Sequence, residues 1–408
     1  MSTTVTAPDV GIAGQPVSTR VLSIDIFRGI TMAVMIFVND LDSVHGLTKW
    51  TYHMPANVNA MTYVDMVFPS FLFIVGMAMP LAIRQRLKRN PSMPALWGHI
   101  ILRSLSLLVM GIILANAENG DAGRMHGLSS NLWGVIGLVG AILLWNVYTR
   151  VGRGTALALK SLGVAMILFD FVIYRRATTT GAAWLQFDYP EILGLIGLTY
   201  FATCLLYVPT RRWQWAPLAW LVLLVAYNSA CILRILPGQH ASIWSWPFSN
   251  GCMVSLVMAG VVASTIFLGQ HRWKMPWQRI RLALVMAVLT FVAGWLLRPL
   301  GISKIRATPT WALWTIAADC ALFVLLYWLC DMRKWTGWAW LFRPAGSNTL
   351  LTYLLPDLYY FLAWLAGVGW VLGHFDAGWP GIVRALCFTV GILLLSRLVT
   401  RAGLRLQL

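Results

Sequence analysis

The chain has 408 residues, of which 59% are hydrophobic and 11% are charged, and its mean hydropathy is +0.70. A soluble domain carries about 25% charged residues, so this chain has too little charge to cover a water-facing surface. The net charge of +17 comes from basic residues clustered between apolar segments, which is typical of membrane proteins. The composition therefore excludes a soluble protein, and we expect no nucleic-acid partner.

Continuous apolar segments of about 20 residues predict an all-α, polytopic integral membrane protein with about 11–12 transmembrane helices. The predicted spans are residues 22–40, 62–84, 95–117, 129–149, 155–174, 190–209, 213–235, 250–270, 280–300, 308–331, 345–369 and 380–402. Residues 1–20 are polar and small, and we expect them to form a disordered tail. Residues 21–408 are interpreted as one transmembrane domain.

The basic residues also predict the orientation of the chain. Most of the 31 Lys and Arg residues fall on the side of the N-terminus, which the positive-inside rule assigns to the cytoplasm. Segments 41–61, 118–128, 175–189, 236–249, 301–307 and 370–379 are then expected outside, which in a bacterium is the periplasm. The predicted location is a bacterial inner membrane. Arg298, Lys304 and Arg306 are exceptions to the rule, and this basic outer loop could hold an acidic substrate or could simply be tolerated once the topology is set.

The densest group of ionisable residues lies at the front of the chain. Asp25 and Arg28 are three residues apart and share one helix face, so they form either an ion pair or, through Arg28, a site for an anionic ligand. Asn39 closes the first span, Asp65 opens the second, and His53 lies in the loop between them. Histidine suits proton transfer near neutral pH, and a buried carboxylate can orient it. A solvated histidine and a helix-capping aspartate are the structural alternatives.

Two further patterns have simple structural readings. Pro344 and Gly346 interrupt the chain where a late span begins, so Ser347 and Asn348 could either cap a helix or present N–H groups to an anion. Gly134, Gly137 and Gly140 recur every three residues, which predicts close helix packing. The spacing of histidines, cysteines and carboxylates matches no metal-binding pattern, so no metal is expected.

Two segments resemble a known family. The run LSIDIFRGITMAVMIFVND, followed by YVDMVFPSFLFIVGMAMPLAI, is similar to the heparan-α-glucosaminide N-acetyltransferase family, with its bacterial NagX-like and YeiB-like branch. The later segment RPAGSNTLLTYLLPDLYYF resembles that family's G-x-N-x-x-L-x-Y motif. The resemblance implies a catalytic histidine between an asparagine and an aspartate, at positions matched here by His53, Asn39 and Asp65. Because the loop is long, His45 competes with His53 for this role.

The resemblance implies transfer of an acetyl group from cytosolic acetyl-CoA to an amino sugar or glycan on the far side of the membrane. The expected phosphate-binding residues are Arg28, Arg84, Arg343, Ser347 and Asn348. His53 would act as a general base or take the acetyl group itself. The alternatives are an N-acetylglucosamine permease, a vestigial site and a thioesterase-like hydrolase. A homodimer is also expected from the family.

Overall fold

The computed structural model describes residues 22–179, 181–236, 250–268 and 275–408. The predicted tail 1–20 and most of the segment 236–249 lie outside these residues. The helices are α1 (Leu22–Leu41), α2 (Val64–Arg89), α3 (Met93–Asn116), α4 (Ser130–Trp145), α5 (Arg153–Ile173), α6 (Glu191–Thr210), α7 (Ala216–Ile232), α8 (Cys252–Leu268), α9 (Pro276–Leu296), α10 (Pro309–Leu326), α11 (Phe342–Ser347), α12 (Thr349–Leu365) and α13 (Gly378–Ala402). A π-helical turn, Tyr327–Met332, extends α10, and β1 (Arg176–Thr178) pairs antiparallel with β2 (Gly181–Ala183).

The all-α membrane fold is confirmed. Within the described ranges, twelve helices of 16 residues or more coincide with the twelve predicted spans, and eight of them are long and apolar enough to cross a bilayer. Long apolar helices are the expected outcome, because every backbone N–H and C=O group at membrane depth must find its partner within the segment. The chain is therefore a multi-pass membrane protein.

The packing is centred on α8. Every residue from 252 to 264 is buried, whereas α5 and α13 are the least buried of the eight long apolar helices and carry exposed apolar side chains. Gly76 and Gly260 bring α2 and α8 into backbone contact, since a Cβ atom on Gly76 would lie 1.9 Å from the carbonyl oxygen of Val257. The helix that opens with Asp65 is thus held directly against the core.

The predicted glycine stripe on α4 is confirmed as a packing surface, and it packs against α5 and α12. Gly134 lies against Phe361 of α12, Gly137 against Asp170 of α5, and Gly140 against the backbone of Gly163. A larger side chain at any of these positions would separate the helices.

The span predicted at 345–369 is broken in the structure. Asn348 has non-helical backbone angles and separates α11 from α12. Its side chain donates to Thr400 Oγ1 at 2.9 Å and to the carbonyl of Leu404 at 2.8 Å, and it accepts from the N–H of Leu406. Gly346 packs against α1 so closely that a Cβ atom would lie 1.8 Å from the carbonyl oxygen of Asp25. These contacts over long sequence separations explain a break that hydropathy alone does not reveal.

Successive long helices cross the bundle in opposite directions, which gives it two faces. We call the face at Leu22 the N-terminal face and the face that carries residues 42–63 the loop face. On the loop face, the backbone N–H of His45 donates to the backbone carbonyl of Asp376 at 2.6 Å. The backbone N–H of Asp121 donates to the backbone carbonyl of Arg175 at 3.0 Å. The segments predicted to lie on one side therefore meet there, as far as they are described.

Candidate active site

Asp65 lies at the start of α2, on the loop face. Its side chain is 1% exposed, which would be costly for a carboxylate without partners. The carboxylate accepts hydrogen bonds from the backbone N–H of Met54 at 3.3 Å and of Thr62 at 3.1 Å. The indole of Trp311, at the start of α10, donates to the backbone carbonyl of Asp65 at 3.0 Å. Asp65 therefore ties the loop to two helices.

His53 completes this arrangement. Its Nδ1 atom lies 2.8 Å from Asp65 Oδ1, while 41% of its side chain is exposed. An ionised carboxylate can only accept, so the Nδ1–H group donates and Nε2 keeps its lone pair. The buried aspartate thus holds one tautomer of a histidine whose reactive nitrogen is accessible from the loop face.

Lys304 is a third member of the site. Its Nζ atom lies 3.4 Å from both Nδ1 and Nε2 of His53. A position equally near both nitrogens cannot lie in the ring plane without a clash with the carbon between them, so the ammonium lies over the face of the imidazole. Burial lowers the pKa of Lys304, and the negative charges of Asp65 and Asp42 oppose this shift.

The loop that carries Lys304 is fixed to the His53 loop. Arg306 donates a short hydrogen bond to Asn59 Oδ1, and the Asn228 side chain of α7 donates to the carbonyl of Ala307 at 3.1 Å. These contacts join α2, α7 and α10 at the loop face. They hold the imidazole of His53 and the ammonium of Lys304 in fixed relative positions.

The third residue predicted for the catalytic site is placed differently. Asn39 is exposed at the end of α1 and, within the described chain, makes no hydrogen bond to His53 or Asp65. The next residue, Asp40, is buried, accepts a short hydrogen bond from Tyr360 and pairs with Arg384 at 3.4 Å. His45 is exposed, and its backbone bonds to the segment 376–378. The structure therefore brings together His53 and Asp65, without Asn39 or His45.

Four of the five residues predicted to bind phosphates lie around α11. Arg28 donates to the carbonyl of Gly346 at 3.2 Å and pairs with Asp25 at 3.7 Å. Arg343 and Ser347 are exposed, and Ser347 donates to Pro344. Asn348 is buried, and both its backbone N–H and its side chain are engaged within the protein. Arg28 and Arg343 are thus better placed for an anion than Asn348.

The fifth residue, Arg84, lies elsewhere on the N-terminal face. It borders a cavity of about 940 Å³ between α2, α6, α7, α8 and α9, together with Lys88 and Arg211. The walls of this cavity are mainly apolar side chains such as Leu221 and Leu282. Within the described chain, no group of three His, Cys, Asp or Glu residues could hold a metal ion.

Comparisons with known proteins give two kinds of match. The family model described as "Domain of unknown function (DUF5009)" matches residues 20–250, which is more than half of the chain. Human heparan-alpha-glucosaminide N-acetyltransferase is 37% identical over 130 residues, which cover 30% of this chain and 19% of the human protein. The mouse protein of the same name is 28% identical over 176 residues, or 42% of this chain and 26% of the mouse protein. The similar region thus spans about a fifth to a quarter of these relatives.

Lys304 was singled out in the sequence only as a member of an unusual basic outer loop. Its contact with His53 joins residues 251 positions apart, and no local pattern predicts such a pairing. The signal that pointed towards it was the exception to the positive-inside trend.

The electrostatic coupling in this site can be tested on Lys304. Asp42→Asn removes a nearby negative charge, so we expect the pKa of Lys304 to fall further below its usual value of about 10.4. Labelling with trace acetic anhydride across a pH series, read by mass spectrometry, reports this pKa. Exposed Lys49 is the internal reference. An unchanged or raised pKa of Lys304 in the variant would show that the carboxylate does not act on this ammonium.

Proposed function

The chain belongs to the DUF5009 family, and from this premise we propose that it is a membrane acetyltransferase that uses acetyl-CoA to acetylate an amino sugar or glycan. The observation that carries the proposal is the His53–Asp65 pair, 2.8 Å apart, in a region similar to acetyltransferases. We assign the N-terminal face to the cytoplasm and the loop face to the periplasm of a bacterial inner membrane, because most Lys and Arg residues lie on the former.

In the proposed reaction, His53 acts as the general base. The acceptor amine attacks the thioester carbonyl carbon, Nε2 takes the proton of the amine, and the carbon–sulfur bond then breaks. The proton passes from Nε2 to the CoA sulfur, so that the products are the amide and free CoA. Asp65 holds the imidazole and stabilises its charged form.

Lys304 supports the same step electrostatically. Its ammonium lies over the imidazole ring, with Nζ 3.4 Å from both ring nitrogens. The same positive charge can stabilise the oxyanion that develops on the thioester oxygen. The exposed position of Asn39 near the end of α1 leaves its side chain available to donate a hydrogen bond to the same oxygen.

The reach of CoA discriminates between the proposed phosphate-binding residues. The phosphopantetheine arm has about thirteen chain atoms, comparable to four residues of extended backbone, and so spans about 15 Å. Arg28 lies eleven residues before Asn39 on α1, or about 16 Å along the helix axis from the loop-face end of that helix. Arg84 lies nineteen residues after Asp65 on α2, or about 28 Å. We therefore propose that Arg28, with Arg343, binds the phosphates of acetyl-CoA.

The role of His53 is tested by turnover of acetyl-CoA with glucosamine as the probe acceptor in detergent. His53→Ala is expected to lower the rate at least about 100-fold, since it removes the base. His45→Ala is the matched control, because that side chain is exposed on the same loop, and it should retain the rate. Product is followed by mass spectrometry. Retained activity in His53→Ala, or its loss in His45→Ala alone, would refute the assignment.

The different depths of Arg28 and Arg84 along their helices give a second test. Arg28→Gln is expected to raise the KM for acetyl-CoA about tenfold or more, because a charge-assisted hydrogen bond contributes about 1.5–3 kcal/mol. Arg84→Gln should leave this KM unchanged, since its guanidinium lies too far from the reacting thioester. Both are measured in the same turnover assay. The reverse pattern would place CoA at the cavity beside Arg84.

A further inference from the structure

A second cavity on the N-terminal face has a basic lining that the proposed reaction does not use. It measures about 330 Å³ and lies between the end of α2, the first half of α3, and α6. Its basic side chains are Arg86, Arg89, His99 and Arg103, and its lining residues, as far as they are described, include no Asp or Glu. We call it the arginine pocket.

Among the described residues, no acidic side chain balances the charges of the arginine pocket, which Leu408 also lines. Within the described ranges, none of its three guanidinium groups forms an ion pair. Arg103 stacks over the ring of Tyr200 at 4.9 Å, and its Nε–H group is buried without a hydrogen-bond partner. Gathering several cations around one buried donor is unfavourable unless an anion joins them. The pocket is therefore built for a negatively charged ligand.

We propose that the arginine pocket binds a phosphate group, and that the phosphate belongs to the headgroup of an anionic phospholipid. Guanidinium groups bind phosphate oxygens in bidentate geometry, and basic pockets between transmembrane helices are suited to lipid headgroups. The volume exceeds that of one phosphate, since a water molecule occupies about 30 Å³, so there is room for a phosphodiester with its neighbouring atoms.

The surface beside the pocket favours a lipid over a soluble phosphate. Ile101, Leu102 and Leu105 flank Arg103 on α3, and all three are exposed. They offer an apolar strip for acyl chains next to the headgroup site. A soluble phosphate would gain nothing from this strip, because it has no apolar part to bury.

The arginine pocket is separate from the proposed acetyl-CoA site. Arg86 lies 21 residues after Asp65 on α2, or about 31 Å along the helix axis. That distance is about twice the reach of the phosphopantetheine arm. A phosphate bound here is therefore not the one that the arm joins to the thioester at His53, and the proposal does not depend on the acetyltransferase activity.

The test measures lipid binding to the full chain after exchange into lipid-free detergent. Phosphatidylglycerol is compared with phosphatidylcholine and with inorganic phosphate, using the shift in Tm and the lipid retained in native mass spectrometry. Phosphatidylglycerol should raise the Tm of the wild type, and Arg103→Gln should weaken its binding about tenfold or more. Arg397→Gln is the matched control, because Arg397 also stacks over an aromatic ring, at 4.7 Å from that of Trp340, outside the pocket.

The outcomes separate the sources of the phosphate. Equal stabilisation by inorganic phosphate, lost in Arg103→Gln, would support the anion site and overturn its assignment to lipid. If phosphatidylcholine stabilises as well as phosphatidylglycerol, or if Arg397→Gln weakens binding as much as Arg103→Gln, the proposal is wrong. The double variant Arg86→Gln/Arg89→Gln, at exposed positions of α2, repeats the test should Arg103→Gln fail to fold. Acetyl transfer is not measured, so failure here leaves the proposed function untouched.

Discussion

The buried carboxylate of Asp65 is the interaction on which the loop face depends. A carboxylate that is 1% exposed persists at the end of a membrane helix only if donors surround it. Met54, Thr62 and His53 supply them, and all three come from one loop. The hydrogen bonds to the Asp65 carboxylate therefore hold this loop against α2, and the one from His53 orients its imidazole. Loss of the charge would release the loop and the histidine together.

The two faces of the bundle impose a second constraint, which is distance. Cationic side chains that could hold phosphates lie on the N-terminal face, whereas the histidine lies on the loop face. A flexible arm of about 15 Å joins the faces only where the cation lies deep along its helix, as Arg28 does on α1. The more superficial cations at Arg84 and in the arginine pocket are then free for other anions. The depth of a cation along its helix thus determines which anionic ligand it can bind.

Much of this architecture could be predicted from the sequence, because hydropathy reports directly on the membrane and places twelve helices within a few residues. The His53–Asp65 pair was also predictable, since the loop between α1 and α2 must bring these neighbouring helix ends close together. Lys304 and the break at Asn348 were not, because both depend on partners more than 50 residues away. The arginine pocket was missed for a similar reason. The basic residues of the pocket were used only to predict the orientation of the chain. Only the packing of α3 against α6 shows that the Nε–H group of Arg103 is buried.

The central claim is that acetyl groups pass from CoA on one face to an acceptor on the other, with His53 as the general base. It is tested most directly in sealed vesicles that contain the full chain, with glucosamine trapped inside and acetyl-CoA added outside. N-acetylglucosamine should accumulate inside vesicles of the wild type and not inside those of His53→Ala. Formation of product only when both substrates share one side would contradict transfer across the membrane, and no product in either arrangement would contradict the acetyltransferase itself.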